Sequence, residues 1–99
     1  MTITFQQLIE MFLDGETDAI SGTPKNPGTL RIVGNQLIHY NTPILERLDS
    51  KYIFNVTRYS LQTGQVQKKI KAIIPEESLI LVKKVPSDQD ISLKEYIVQ

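Results

Sequence analysis

The chain lacks cysteine and tryptophan and has a single histidine, His39. Without cysteine it can form no disulfide, no thiolate nucleophile and no Cys-based zinc or iron–sulfur site. One histidine cannot build a multi-histidine metal site. As a lone residue on a predicted strand, it is more often a satisfied or exposed side chain than a catalytic base. The sequence therefore predicts no metal site and no cofactor.

Long apolar runs are also missing. The longest, residues 79–82, has the length of a strand, whereas a membrane-spanning helix needs roughly 18 apolar residues. The N-terminus lacks the basic segment and the small-residue cleavage site of a secretory signal. We therefore expect a cytoplasmic protein with no membrane partner.

An excess of either charge is absent, because 11 Lys and Arg residues balance 11 Asp and Glu residues. A neutral total argues against strong, non-specific nucleic-acid binding, which depends on many phosphate contacts. The cations concentrate in the second half of the chain, however. Four of them predict a modest basic face there: Arg58, Lys68, Lys69 and Lys71.

What is present is an ordinary globular composition, with 40% hydrophobic and 22% charged residues in 99 positions. This length predicts one domain over residues 1–99. The first element is a helix over Thr4–Asp14, because its apolar residues recur at helical spacing. Thr4 and Gln7 form a capping-box pattern, and Gly15 supplies the stop. Residues 15–28, rich in Gly, Pro, Thr and Asn, read as a long loop.

A hairpin is predicted next, from a run at Leu30–Val33 that returns at Leu37–Tyr40 through a two-residue turn of the primed kind at Gly34 and Asn35. Pro43 should bend or end the returning strand, because proline cannot donate to a ladder.

The chain from residue 44 to residue 48 then leads to a turn at residues 49–51, and Tyr52–Tyr59 is predicted as the third strand. Alternation along this strand gives one apolar face and one face that carries polar groups.

Residues 60–74 fit either a strand or a helix, and the spacing of Val66, Ile70 and Ile74 favours a helix. Ser60 or Thr63 would cap this helix.

Ser78–Val85 is predicted as a buried strand that stops at Pro86. A short last helix would follow, capped by Asp90 or Ser92.

The predicted order α-β-β-β-α-β-(α) contains no repeated βαβ unit. The predicted fold class is therefore α+β, a mainly antiparallel sheet of about four strands with two or three helices packed on one face.

Standard catalytic signatures are missing: there is no Gly-rich phosphate loop, no HExxH, no GxSxG and no EF-hand pattern. What remains is a set of polar residues in the middle of the chain. They are the candidate ligand or partner site: Tyr40, Thr42, Arg47, Asn55, Tyr59, Ser60, Thr63 and Gln67.

Two stretches that hold this set, GNQLIHYNTPILER and NVTRYSLQTGQVQ, carry the pattern G-N-x-L-x-x-Y-x-T-x-I-x-x-R and then N-x-x-x-Y-S-x-x-T-x-x-x-Q. The pattern resembles that of small uncharacterised domains of viral, plasmid and other microbial genomes, and the resemblance implies an association with mobile genetic elements. It implies no enzymatic activity. The chain departs from the family at Val66, where a basic residue or histidine is common.

Two interpretations of the polar set follow from the residues themselves. An aromatic hydroxyl, the Arg47 guanidinium and the start of the predicted helix near Thr63 could together hold a phosphate, carboxylate or nucleotide. Alternatively, Ser60 or Thr63 is only a cap, Asn55 bonds the backbone and Arg47 pairs with an acidic residue, so that the set is structural.

The function expected first is that of a small non-enzymatic binding or accessory module that engages another macromolecule, a protein or a nucleic acid. The second is nucleic-acid binding through Arg58, Lys68, Lys69 and Lys71. The third is an enzyme or binder that acts on a nucleotide-like small molecule, with His39 or Tyr59 moving protons.

Overall fold

The computed structural model describes residues 2–89 and 91–97. Two α-helices and six strands follow one another along the chain: α1 (Phe5–Leu13), β1 (Asp18–Gly22), β2 (Pro27–Val33), β3 (Gln36–His39), β4 (Thr42–Leu48), β5 (Lys51–Asn55), α2 (Leu61–Ile73) and β6 (Leu79–Val82). Short 3₁₀ helices occupy Glu76–Ser78 and Leu93–Tyr96.

The six strands form one sheet in the order of the sequence, from β1 at one edge to β6 at the other. Every neighbouring pair is antiparallel except β5 and β6, which run parallel because α2 connects them across the sheet. The α+β class and the mainly antiparallel sheet are confirmed. The pair β5–β6 with its connecting helix is a βαβ unit, at the place where the predicted order had β-α-β.

The predicted number of strands, about four, is wrong. β1 lies inside the segment predicted as a loop, and the Ser21 hydroxyl fixes it to β2 through hydrogen bonds with both backbone groups of Leu30, at 2.8 and 3.3 Å. Gly28 allows this approach, since a Cβ there would lie 2.1 Å from Ser21 Oγ. β4 was missed because Pro43 interrupts its pattern. The strand accommodates Pro43 at a β-bulge, where Ile44 is the extra residue.

Both α-helices form where the sequence predicts them. Thr4 caps α1, and the reciprocal bonds between Thr4 and Gln7 complete the capping box at 3.1 and 2.9 Å. Ser60 is the N-cap of α2 and accepts a hydrogen bond from the Thr63 N–H at 3.3 Å. The strand before α2 ends at Asn55 instead of Tyr59, because residues 56–60 leave the sheet to reach this cap.

The core lies on both faces of the sheet. On the first face, α1 and α2 pack onto the strands in one cluster that includes Phe12, Phe54 and Ile70. The second face holds a smaller cluster around Ile53 and Leu93, to which the C-terminal 3₁₀ helix belongs. Ile53 and Phe54 are successive strand residues, so the two clusters lie on opposite sides. The prediction that all helices pack on one face therefore holds for the two α-helices but is wrong for the last helical element.

The last element is capped by Ser92, whose hydroxyl accepts from the Lys94 N–H at 3.3 Å. Asp90, the other predicted cap, lies outside the described residues. Within residues 2–89 and 91–97, no helix is both long enough and apolar enough to cross a membrane.

Candidate functional site

Asn55, at the end of β5, organises the connection between β5 and α2. Its amide nitrogen donates to the Pro43 carbonyl at 2.9 Å and to the Tyr59 hydroxyl at 3.0 Å, and its side-chain oxygen accepts from the Thr57 N–H at 3.0 Å. The Tyr59 hydroxyl in turn donates to the Val85 carbonyl at 2.6 Å. These bonds satisfy both side chains within the protein. Asn55 and Tyr59 therefore meet because the chain turns back after β5, although Tyr59 lies outside the strand, and they brace the connection.

Gln67 fixes α2 to the same connection. Its amide nitrogen donates to the carbonyls of Asn55 and Thr57, at 2.8 and 2.9 Å. Gln67 is partly buried and lies one helical turn after Thr63. The helix is thereby tied to the end of β5, so the start of α2 has a fixed position beside the ends of the parallel strands.

His39 lies on the core face of β3, only 1% exposed. Its Nδ1 is 2.9 Å from the Thr63 hydroxyl, and its Nε2 is 2.9 Å from the Thr29 hydroxyl. Ser60 extends this chain of hydroxyls, since its Oγ donates to Thr63 Oγ1 at 3.3 Å. Burial lowers the pKa of His39 from its usual 6.5, because desolvation disfavours the imidazolium. His39 is thus a satisfied core residue that links β2, β3 and α2.

Arg47 is not brought to this group. Its guanidinium donates to the Gly34 carbonyl at 3.1 Å, to the Glu16 carbonyl at 2.6 Å and to the Phe12 carbonyl, and it lies 4.0 Å from the centroid of the Phe12 ring. These carbonyls belong to the end of α1 and to the β2–β3 turn. A cation at a helix C-terminus compensates the unsatisfied carbonyls there, so the contacts of Arg47 are those of a structural clamp.

Tyr40 is the first residue of the two-residue β3–β4 turn, and Thr42 follows the turn at the start of β4. Tyr40 and Asn41 both have positive φ angles, 50° and 65°, as a type I′ turn requires. Tyr40 is about half exposed and its ring packs edge-on against His39. Thr42 is buried and accepts a hydrogen bond from the Asp88 N–H at 2.9 Å.

One buried carboxylate was not predicted from the sequence. Glu46, in β4, is 1% exposed and accepts from the Gln36 amide at 2.8 Å, the Leu93 N–H at 2.9 Å and the Ser92 hydroxyl at 2.9 Å. It therefore attaches the C-terminal 3₁₀ helix to the second face of the sheet. The one sequence feature that points to this carboxylate is Ser92, the predicted cap of the last helix, because the start of a helix favours a nearby anion.

The open surface lies where β6, the β5–α2 connection and the start of α2 meet. Two adjoining pockets, of about 430 and 560 Å³, share Val56 as a lining residue. The first is also lined by Arg58, Tyr59, Ser60 and Gln67, and so collects three residues of the predicted polar set and one of the predicted basic set. The second lies at the end of β6, around Leu81 and Lys83.

Apolar side chains stand exposed around these two pockets. Leu61 is 86% exposed, Leu81 50% and Val56 37%. The cations beside them are Arg58, Lys83 and Lys84, and no acidic side chain of residues 2–89 and 91–97 lines either pocket. We call this region the β6 surface; its residues are Val56, Arg58, Leu61, Leu81, Lys83 and Lys84.

The remaining predicted nucleic-acid residues lie along α2. Lys68 and Lys69 line a separate shallow depression on the exposed side of the helix, and Lys71 is exposed in the last turn. Arg58 lies at the other end of the helix, beside the β6 surface.

The chemistry available to the described residues is limited. Within residues 2–89 and 91–97, every buried side-chain nitrogen and oxygen has a hydrogen-bond partner. In the same residues, no group of three or more His, Cys, Asp or Glu side chains could hold a metal ion. Apart from Tyr40, the polar side chains of the predicted site all make hydrogen bonds within the fold.

Comparisons of the chain with protein-family models, with curated proteins and with solved structures give no match.

Proposed function

We propose that this protein is a non-enzymatic module that binds another protein through the β6 surface. The observation that carries the proposal is the exposure of Leu61, Leu81 and Val56 around two adjoining pockets. Single exposed apolar residues are normal, but several around one concave region are typical of interaction sites.

The polar residues that catalysis would need are already bonded within the fold, and this supports a non-enzymatic function. Asn55 donates to the Pro43 carbonyl of β4, Tyr59 to the Val85 carbonyl after β6, and Gln67 to two carbonyls at the β5–α2 connection. His39 is enclosed by two threonine hydroxyls. A general base must reach a substrate proton, and an occupied, buried imidazole does not.

A protein partner also fits the β6 surface better than a nucleic acid does. Non-specific nucleic-acid sites combine a continuous cationic groove with aromatic side chains on which bases stack. Here the exposed side chains are aliphatic, and each pocket is lined by one tyrosine that the fold already holds. Tyr59 hydrogen-bonds the Val85 carbonyl, and Tyr96 is partly buried against the Ile53–Leu93 cluster. The basic residues lie at the rim, where charges steer association and select partners.

The test is site-specific photo-crosslinking in the native cells. A benzophenone amino acid replaces either Leu61, in the β6 surface, or Ile20, an exposed aliphatic residue of β1 at the opposite edge of the sheet. We expect a defined protein adduct from position 61 and none from position 20.

Three other results would contradict the proposal. Nucleic-acid adducts of position 61, with a yield that falls steeply when salt is added to a cell lysate before irradiation, would favour the basic-face alternative. Equal labelling from both positions would remove the special role of the β6 surface. Thermal stabilisation by nucleotides, without any adduct, would favour a small-molecule site.

A further inference from the structure

We propose that the occupant of the β6 surface is an extended, acidic segment of the partner, which pairs with β6 as an additional strand. This inference rests on the proposed function and names the chemistry of the partner. It follows from three features: the open edge of the sheet, the apolar side chains that flank it and the charge at its end.

The open edge is β6 itself. This strand pairs with β5 on one side and is the last strand of the sheet. The Val82 carbonyl accepts from the Val56 N–H at 2.8 Å, so the backbone of Val82 faces β5. Backbone groups alternate in direction along a strand, and those of Leu81 therefore point outward, away from the sheet. An incoming strand can hydrogen-bond to them, which is how extended peptides bind exposed sheet edges.

Side chains next to this edge offer an apolar contact. Leu81 lies on the same face as Phe54, its partner in the β5–β6 register, and is half exposed because it lies at the outer edge of the sheet. Val56 and Leu61 continue the apolar area toward the start of α2. In a strand added at β6, every second side chain would lie on the same face of the sheet as Leu81 and would cover it.

The positive charge at the end of β6 favours an acidic partner. Lys83 and Lys84 follow β6 directly, and Arg58 lies beside the first pocket. Lysines often protect a sheet edge from unwanted pairing. Here they follow the uncharged Leu79–Val82 stretch, so a segment with carboxylates at one end can pair with β6 and neutralise them.

The experiment uses the full chain and a fluorescein-labelled synthetic peptide in which valine and glutamate alternate. Binding is measured by fluorescence anisotropy against a peptide of alternating valine and lysine. A third peptide has the valine–glutamate sequence with N-methylated amides, which cannot pair as a strand on that edge. We expect the first peptide to bind, and both controls to bind at least about tenfold more weakly.

Two matched pairs of variants locate the site. Lys83→Glu should weaken binding of the valine–glutamate peptide about fivefold, the loss expected for one partly exposed ion pair, whereas Lys25→Glu in the exposed β1–β2 turn should leave it unchanged. Leu81→Ser should weaken it similarly, and Ile20→Ser should not. Both aliphatic residues are exposed on edge strands, so neither serine variant should fail to fold.

Amide hydrogen exchange separates strand addition from loose electrostatic attachment. When the peptide binds, exchange at the Leu81 amide should slow at least about tenfold, while the Val82 amide, which already faces β5, should change little. Binding without this protection would overturn the strand model but leave the proposed function standing.

Other occupants give distinct results. Tighter binding of single-stranded oligothymidylate than of the peptide would overturn both the strand model and the protein-binding function. A concentration-dependent dimer in sedimentation that Leu81→Ser abolishes would identify the occupant as a second copy of the chain and overturn the acidic-segment proposal.

Discussion

Arg47 makes its contacts far from the polar group in which the sequence placed it. The hydrogen bonds of its guanidinium to the Phe12, Glu16 and Gly34 carbonyls join the end of α1 to the β2–β3 turn. Its position over the Phe12 ring adds a cation–π contact. Removing this side chain would take one of two donors from the Phe12 carbonyl, which also accepts from the Gly15 N–H, and would leave the Glu16 and Gly34 carbonyls to solvent.

We therefore predict that Arg47→Ala lowers the free energy of unfolding by roughly 1–3 kcal/mol, because it removes three hydrogen bonds from a charged donor and the contact with the Phe12 ring. Chemical denaturation measures this loss. Arg58→Ala is the matched control: Arg58 is exposed in the β5–α2 connection, and its removal should change the free energy of unfolding by less than about 0.5 kcal/mol. Equal effects of the two substitutions would refute the clamp.

His39 should make stability depend on pH. Burial lowers its pKa in the folded protein below the usual 6.5, so the unfolded chain takes up the proton first as the pH falls. The free energy of unfolding should thus have its maximum contribution from His39 above pH 6.5, and it should decrease as the pH falls below 6.5. The side chains that contact the ring are two hydroxyls and the rings of Phe5 and Tyr40, and none of them carries a compensating negative charge.

Denaturation series between about pH 7.5 and pH 5.5 measure this dependence. In His39→Gln the slope over this interval should disappear, whatever the overall loss of stability. A parent protein whose free energy of unfolding is flat across the interval would contradict the lowered pKa.

At the scale of elements, a tight turn joins β2 to β3 and depends on the backbone angle of one glycine. Gly34 has a φ of 62° and begins the two-residue turn between β2 and β3, while Asn35 does not share the positive φ. This is a type II′ turn, with glycine at its first central position. Space around Gly34 is open, because a Cβ there would meet no atom within 4 Å. Only the backbone angle restricts the residue.

A pair of glycine substitutions isolates this angle. Gly34→Val should cost more than about 1 kcal/mol, because a β-branched residue is strained at positive φ. Gly64, inside α2, also has open space around its Cβ position but no positive φ. Gly64→Ala should therefore stabilise the protein by about 0.5–1 kcal/mol. Thermal or chemical unfolding of both variants measures these changes in stability. A Gly34→Val protein as stable as the parent would show that the turn is misassigned.

Local signals predicted the elements that depend on local physics. The capping box of α1, the Gly34 turn and the Ser60 cap of α2 each act within a few residues, and all are found. β1 and β4 were missed because long-range pairing makes them strands. The Ser21 hydroxyl needs Leu30, and Pro43 needs a bulge opposite β3.

The candidate site divides in the same way. Tyr59, Ser60 and Gln67 were predicted and do come together at one pocket with Arg58. Leu61 and Leu81 were missed, because an apolar residue in a helix or strand reads as core until the neighbouring elements are placed. Only the position of β6 at the edge of the sheet leaves Leu81 uncovered.

For the whole molecule, the two faces of the sheet are used differently. α1 and α2 cover the first face, and the C-terminal 3₁₀ helix, held by the buried Glu46 carboxylate, covers part of the second. The net charge is zero, yet Lys83 and Lys84 stand together with Arg58 beside exposed aliphatic side chains. On this combination rests the proposal that the apolar, basic edge of the sheet binds a partner.

The most direct test combines Leu81→Ser with the photo-crosslinker at position 61. We predict that the yield of the protein adduct falls at least about fivefold while the melting temperature stays within about 2 °C of the parent, because Leu81 is half exposed and contributes little to folding. Ile20→Ser, carrying the same crosslinker, should retain the full yield. An undiminished adduct in Leu81→Ser, or the same loss in Ile20→Ser, would contradict the claim that the β6 surface binds the partner.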